Sequence, residues 1–131
     1  APVFFESNRM YLKMNEMLVT LNEKVTLKKQ PFKATSHRGE IYLENYNKKL
    51  KYFVLNDDVK LEEKVVLSGT SYLRKAYAEK LEGVMAEDKI ILTGFPKVYQ
   101  QSDVIKGNRI ILRENNEVVE VDDANTNIIL R

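Results

Sequence analysis

The chain has 131 residues, of which 44% are hydrophobic and 31% charged, with a net charge of +2 and no cysteine. That length suits one domain over residues 1–131 with room for a core, and so small a charge argues against nucleic acid or an anionic membrane surface as partner. The missing thiols exclude disulfides and thiol chemistry, and no apolar run approaches the roughly 18 residues of a membrane-spanning helix. No cationic leader precedes an apolar stretch, so a secretion signal would already have been removed.

Taken in chain order, the first clear element is Arg9-Met10-Tyr11-Leu12-Lys13, apolar and polar by turns. A period of two predicts a half-buried strand, with Met10, Leu12 and Met14 on the inner side. Asn15-Glu16 reads as a hairpin turn into Val19-Thr20-Leu21-Asn22. The polar step Asn22-Glu23-Lys24 then reads as a corner before Val25-Thr26-Leu27. Gln30-Pro31-Phe32-Lys33 is a short break, and a Ser/Thr-rich turn follows around His37. The same order then recurs: Glu40-Ile41-Tyr42-Leu43-Glu44, a turn at Asn45-Tyr46-Asn47, Phe53-Val54-Leu55-Asn56, a corner at Asp57-Asp58, and Val59-Lys60-Leu61.

Leu73 to Leu81 is rich in helix formers, but its place in the recurring order predicts a strand over Lys75-Ala76-Tyr77-Ala78-Glu79. Next come a turn at Glu82-Gly83, the block Val84-Met85-Ala86-Glu87, a corner at Glu87-Asp88 and Ile90-Ile91-Leu92. After the break Gly94-Phe95-Pro96-Lys97, the order appears again as Arg109-Ile110-Ile111-Leu112-Arg113, a turn at Asn115-Asn116 and Val119-Glu120-Val121-Asp122. Asn125 and Asn127 then replace the expected apolar pair, so the pattern fades near the C-terminus. The first blocks start at residues 9, 40, 75 and 109, a step of 31 to 35, and the second blocks keep a similar step. About four repeats of one supersecondary unit are therefore predicted, each needing its neighbours to bury its apolar face.

Little in the sequence suggests catalysis. His37 is the one histidine, and the pairs Asp57-Asp58, Glu62-Glu63 and Asp122-Asp123 fall where polar corners account for them. Zinc-ligand spacing, a phosphate loop and a nucleophile elbow are all absent. Lys106-Gly107-Asn108-Arg109 opens a strand rather than a helix, which argues against a phosphate cradle. No catalytic residue, metal or cofactor is expected.

What remains is an inward apolar set: Met10, Leu12, Leu21, Ile41, Leu43, Phe53, Leu55, Val59, Ile90, Leu92, Ile110 and Leu112. These residues read either as a filled sandwich core or as the lining of a slot between two sheets. An aliphatic and Met lining without tryptophan suits flexible hydrocarbon better than stacked rings.

The run Val104-Ile105-Lys106-Gly107-Asn108-Arg109-Ile110-Ile111-Leu112, followed by Val119-Glu120-Val121, resembles the OstA/LptA family of periplasmic lipopolysaccharide-transport proteins. Its pattern is a V-I-x-G-x-x-I-x-L strand, a polar turn and a V-x-V strand. A looser copy lies at Gly39-Glu40-Ile41-Tyr42-Leu43 with Phe53-Val54-Leu55, and the resemblance extends from about Phe5 to Leu130. Ala76 and Ala78 depart from it where Ile and Leu are usual. The resemblance implies an all-β fold, a β-jellyroll of stacked antiparallel strands. It also implies a periplasmic carrier that shelters the acyl chains of lipopolysaccharide between inner-membrane and outer-membrane partners. Self-association would be head to tail, through an edge near Val3 and Phe5 and another near Val119, Val121 and Ile128. The soluble domain of the membrane-anchored or outer-membrane sister component stays open as an alternative. So do an unrelated small-lipid carrier and a purely structural β module.

Overall fold

The computed structural model describes residues 3–45, 49–114, 116, 118–122 and 127–129. Strands dominate, and the described residues contain no α-helix, only one-turn 3-10 segments at Met14–Glu16 and Met85–Glu87. The strands are β1 (Phe4–Glu6), β2 (Arg9–Lys13), β3 (Leu18–Lys29), β4 (Phe32–Leu43), β5 (Leu50–Leu67) and β6 (Thr70–Val84), then β7 (Lys89–Thr93), β8 (Lys97–Gln100), β9 (Asp103–Lys106), β10 (Arg109–Arg113), β11 (Val119–Val121) and β12 (Asn127–Ile129). All recorded pairings are antiparallel. The segment from Leu73 to Leu81 lies wholly within β6, because pairing on both sides outweighs its helix propensity.

The long strands β3 to β6 fold one hydrogen-bonded network into two layers. The first layer runs β2, residues 18–22 of β3, 38–43 of β4, 50–56 of β5, 80–84 of β6, β7, β10 and β11. The second runs β1, residues 25–29 of β3, 32–36 of β4, 59–67 of β5, 70–78 of β6, β8, β9 and β12. Register slips between Asn22 and Val25, Thr35 and Arg38, and Asn56 and Val59 mark the fold line. On β3 and β5 the bend is made by residues at positive φ: Glu23 at 65°, Lys24 at 52°, Asp57 at 69° and Asp58 at 52°. The two polar corners expected there are thus bulges inside continuous strands, which turn the chain from one layer to the other.

The third unit is arranged differently from its expected register. Lys75–Ala78 of the expected strand Lys75–Glu79 belongs to the second layer and pairs with β5, and its first three residues also with β8. The hairpin that corresponds to β2–β3 is residues 80–84 with β7. Its turn is Met85–Glu87 with Asp88 in the left-handed region, matching Met14–Glu16 with Met17. Glu82-Gly83 is accordingly strand rather than turn, and Glu87-Asp88 is a hairpin turn rather than a corner. Two alanines in an alternating run mimicked the outer block of the unit. Tyr46, Asn47, Asn115, Asp123 and Asn125, on which other turn and capping expectations fell, lie outside the described residues.

The core lies between the layers. Leu27, Leu61, Ala76 and Val98 from the second layer meet Leu21, Phe53, Leu81, Leu92 and Ile110 from the first in one buried cluster. Each large aliphatic side chain so buried contributes about 1.5–3 kcal/mol relative to exposure.

Candidate functional site: the space between the layers

The rims opposite the fold line carry the turns 14–17, 30–31, 68–69, 85–88 and 101–102, and the two layers are continuous with each other along that line. The space between them is the candidate site. Of the residues expected to line it, Leu21, Ile41, Phe53, Leu55, Val59, Ile90, Leu92, Ile110 and Leu112 are buried there, and Leu43 is half-buried against the same cluster. The space is filled: at the rim a cavity of about 20 Å³ remains, bounded by Leu27, Lys29, Phe32, Phe53, Met85 and Ile90. That is room for about one water molecule. The rings of Phe5, from the second layer, and Phe53, from the first, meet edge to face with centroids 5.7 Å apart.

Met10 and Leu12 depart from the expected burial, being 55% and 58% exposed. Strand β2 pairs with β3 alone, and all five of its residues are exposed. Alternation identified the face correctly, but nothing in the described structure covers it. Val3, Phe5, Val119 and Val121 lie at the ends of the layers as expected, with side chains packed partly on the core. Ile128 lies on β12, beside β9.

A buried polar group at the rim went unforeseen. Glu63 and Arg74 have relative exposures of 0% and 1%. Arg74 Nε donates to Glu63 Oε1 at 2.9 Å, and a second guanidinium nitrogen donates to the same oxygen. Arg74 Nη1 donates to Gln100 Oε1 at 2.9 Å and, across the gap, to the carbonyl oxygen of Asn116 at 2.7 Å. Nearby, Lys29 Nζ of the second layer lies 3.0 Å from Glu114 Oε2 of the first. Glu62-Glu63 is therefore not a solvated corner. Period two was the overlooked signal, since Glu63 is in phase with Val59, Leu61 and Val65, and Arg74 with Ala76 and Ala78.

The outer surface carries several ion pairs beside exposed apolar side chains such as Val66, Leu73 and Phe95. His37 sits at the fold line rather than in a free turn, with Nε2 3.8 Å from Asp58 Oδ2 and both side chains exposed. Arg38 Nε donates to Asp57 Oδ2 at 2.6 Å and holds that carboxyl below its usual range. Arg9 does the same to Glu23. On the first layer's outer face, burial, then the hydrogen bond it donates to Glu82, pushes the Tyr52 phenol far above its usual range. Tyr42, beside Glu40, is raised for the same reasons. Among the described residues no cluster of His, Asp or Glu is arranged to hold a metal.

No curated protein sequence matches the chain. Among solved structures, one similar chain is LptH from Pseudomonas aeruginosa, described as the LptA-homologous periplasmic component of the conserved lipopolysaccharide transport device. The TM-score is 0.85 at 13% identity, over 99% of this chain and 95% of that one. The two share the β-jellyroll fold. The sequence profile described as "LptA/(LptD N-terminal domain) LPS transport protein" matches residues 5–118. That match covers most of the chain, which therefore belongs to the LptA/LptD N-terminal domain family of lipopolysaccharide transport proteins.

Proposed function

We propose that the chain is a periplasmic carrier that takes the acyl chains of lipopolysaccharide between its two layers and passes them along a bridge between inner-membrane and outer-membrane partners. The observation that carries this reading is the apolar space between layers whose strands are continuous along one side and whose opposite rims meet through the side chains of Arg74 and Lys29. Exposing an acyl chain to water costs about 0.8 kcal/mol per CH₂. Several long chains would thus face tens of kcal/mol, and a sheltered path removes that barrier without any covalent step. The space is packed shut in the free protein, so entry of a chain requires the layers to part and to exchange core contacts for contacts with lipid.

The ends of the layers support the bridge. β1 and β2 close one end of the sandwich, and β11 and β12 the other. The two ends differ in sequence, so pairing them gives a head-to-tail contact that propagates. The exposed apolar side chains of Met10 and Leu12 lie at the first end. The family profile also describes the N-terminal domain of the outer-membrane component, so that placement is the second reading. No helix among the described residues is long and apolar enough to cross a membrane.

Photo-crosslinking tests the reading. Groups placed at Ile41 or Phe53, inside the space, are expected to capture lipopolysaccharide, and one at outward-facing Lys13 is not. Equal labelling at all three positions would reduce the interaction to surface adhesion and defeat the proposal.

A further inference from the structure

Two neighbouring rows of inward-facing residues cross the second layer, and they differ in kind. The deeper row is Leu27, Ala34, Leu61, Ala76, Val98 and Ile105, each the register partner of the next. It is wholly apolar. The row at the rim is Lys29, Phe32, Glu63, Arg74 and Gln100, linked in the same way. Three of its members carry charge, at the place where a lipid would enter.

The charges are arranged in sequence. Glu63 anchors Arg74 from its own layer. Arg74 reaches across the rim to the carbonyl oxygens of Asn116 at 2.7 Å and Arg113 at 3.4 Å. Those two carbonyls flank Glu114, and so fix it opposite Lys29. Lys29 Nζ then lies 3.0 Å from Glu114, 4.0 Å from Asp88 and 5.9 Å from the centroid of the Phe32 ring. Its side chain is only 13% exposed. The same lysine bounds the small apolar cavity with Leu27, Phe53 and Met85. An ammonium therefore stands at the lip of an apolar space, neutralised by carboxylates borne on the opposite layer.

We propose that Lys29 is an anion subsite at the mouth of this space, and that Glu114 occupies it in the free protein as a stand-in for a phosphate or carboxylate on an acyl amphiphile. This rests on the lipid-carrier reading above. Glu114 and Asp88 move with the first layer, so parting the layers takes both away from Lys29. Leaving a half-buried ammonium without a counter-charge is costly. A phosphate on the head group to which the acyl chains are attached would lie at that lip and restore a charge-assisted bond. A neutral head group would not, so the subsite selects for anionic amphiphiles. Arg74 is a positioning residue here: it holds the strand end that presents Glu114.

Calorimetric titration of the purified chain with dodecyl phosphate, dodecyl maltoside and inorganic phosphate tests this. Dodecyl phosphate is expected to bind about tenfold more tightly than dodecyl maltoside, with inorganic phosphate alone giving no measurable heat. Lys29→Met should remove that preference while changing maltoside affinity by less than about twofold. Glu114→Gln, at a partly exposed residue, should strengthen dodecyl phosphate binding about threefold by removing the competitor, and so reports on the subsite even if Lys29→Met harms folding. Equal affinity for the two amphiphiles, an equal loss for both in Lys29→Met, or weaker phosphate binding in Glu114→Gln would overturn the inference while leaving the carrier reading intact. Inorganic phosphate binding as tightly as dodecyl phosphate would reduce the site to a free-ion site and overturn it as well. Failure of both amphiphiles to bind would overturn the carrier reading and the subsite with it.

Discussion

The ring of Phe53 lies directly over Gly83, its register partner on β6, so closely that a Cβ built on the glycine would come within 2.2 Å of the ring. Gly83 is not at positive φ, so its role is spatial: it leaves the opening into which Phe53 packs at the rim of the interior. Gly83→Ala is therefore expected to displace the Phe53 ring and lower stability by about 1–3 kcal/mol, the usual cost of overpacking. Combining it with Phe53→Leu should recover part of that loss. Urea denaturation of the three variants checks this, and an undiminished midpoint in Gly83→Ala would refute it.

The Glu63–Arg74 pair makes a separate prediction about stability. Arg74→Met alone leaves a carboxylate buried without its cation and should cost about 3–5 kcal/mol. Adding Glu63→Leu should return most of that, because a buried pair replaced by apolar residues is often close to neutral. The carbonyl oxygens of Arg113 and Asn116 lie at the rim, where water can replace the lost donor. If the double variant is as unstable as the single one, the pair is needed for more than mutual compensation.

Alkaline pH should also destabilise the fold. Tyr52 and Tyr42 have folded pKa values raised above the unfolded value of about 10, by burial and by their hydrogen bonds to Glu82 and Glu40. The stability they contribute is complete below pH of about 10 and is lost as pH rises through their folded values. Ultraviolet difference absorbance should show part of the tyrosine signal titrating late, and Tyr52→Phe should remove some of that late fraction. A single transition for all tyrosines near the unfolded value would contradict the assignment.

Self-association should be open-ended. Light scattering over roughly a hundredfold range of concentration is expected to show a mass that keeps rising, since unlike ends generate chains rather than closed pairs. Val119→Pro, at the β11 end, should reduce the mass toward monomer, with circular dichroism confirming that the strands persist. A constant monomer, or a discrete two-fold dimer, would rule out the bridge and leave a shuttling carrier.

Residues at the fold line should matter little to lipid capture. His37→Ala and Asp57→Ala are changes to exposed side chains at the corner, outside the space between the layers. Binding of dodecyl phosphate should change less than about twofold in either variant. A larger loss would point to a second site at the corner.

Particular residues show how far the sequence could be read. The alternation of Ile41, Leu43, Phe53 and Leu55 placed strand, phase and inner face correctly, because side-chain direction in a strand is fixed by the backbone pleat. The corners at Glu23-Lys24 and Asp57-Asp58 were legible because polar steps interrupt apolar runs that resume in phase. Lys75–Glu79 misled, since an alternating run records which way side chains point but not which neighbour the strand will pair with. Met10 and Leu12 misled for a related reason: periodicity names the apolar face, whereas burial depends on a covering layer.

By itself, then, the sequence determined the class of fold, the two-residue period and many of the aliphatic side chains facing inward, all of which follow from local backbone geometry and short-range patterning. Tertiary structure alone decided the rest. It folded four long strands across two layers, seated Phe53 over Gly83 and packed the interior shut. It also joined Lys29 to Glu114, 85 residues away, and Arg74 to Asn116, 42 residues away. The physical reason is that no local propensity encodes contacts between residues so distant in the chain; they exist only once both layers have formed and their rims have met.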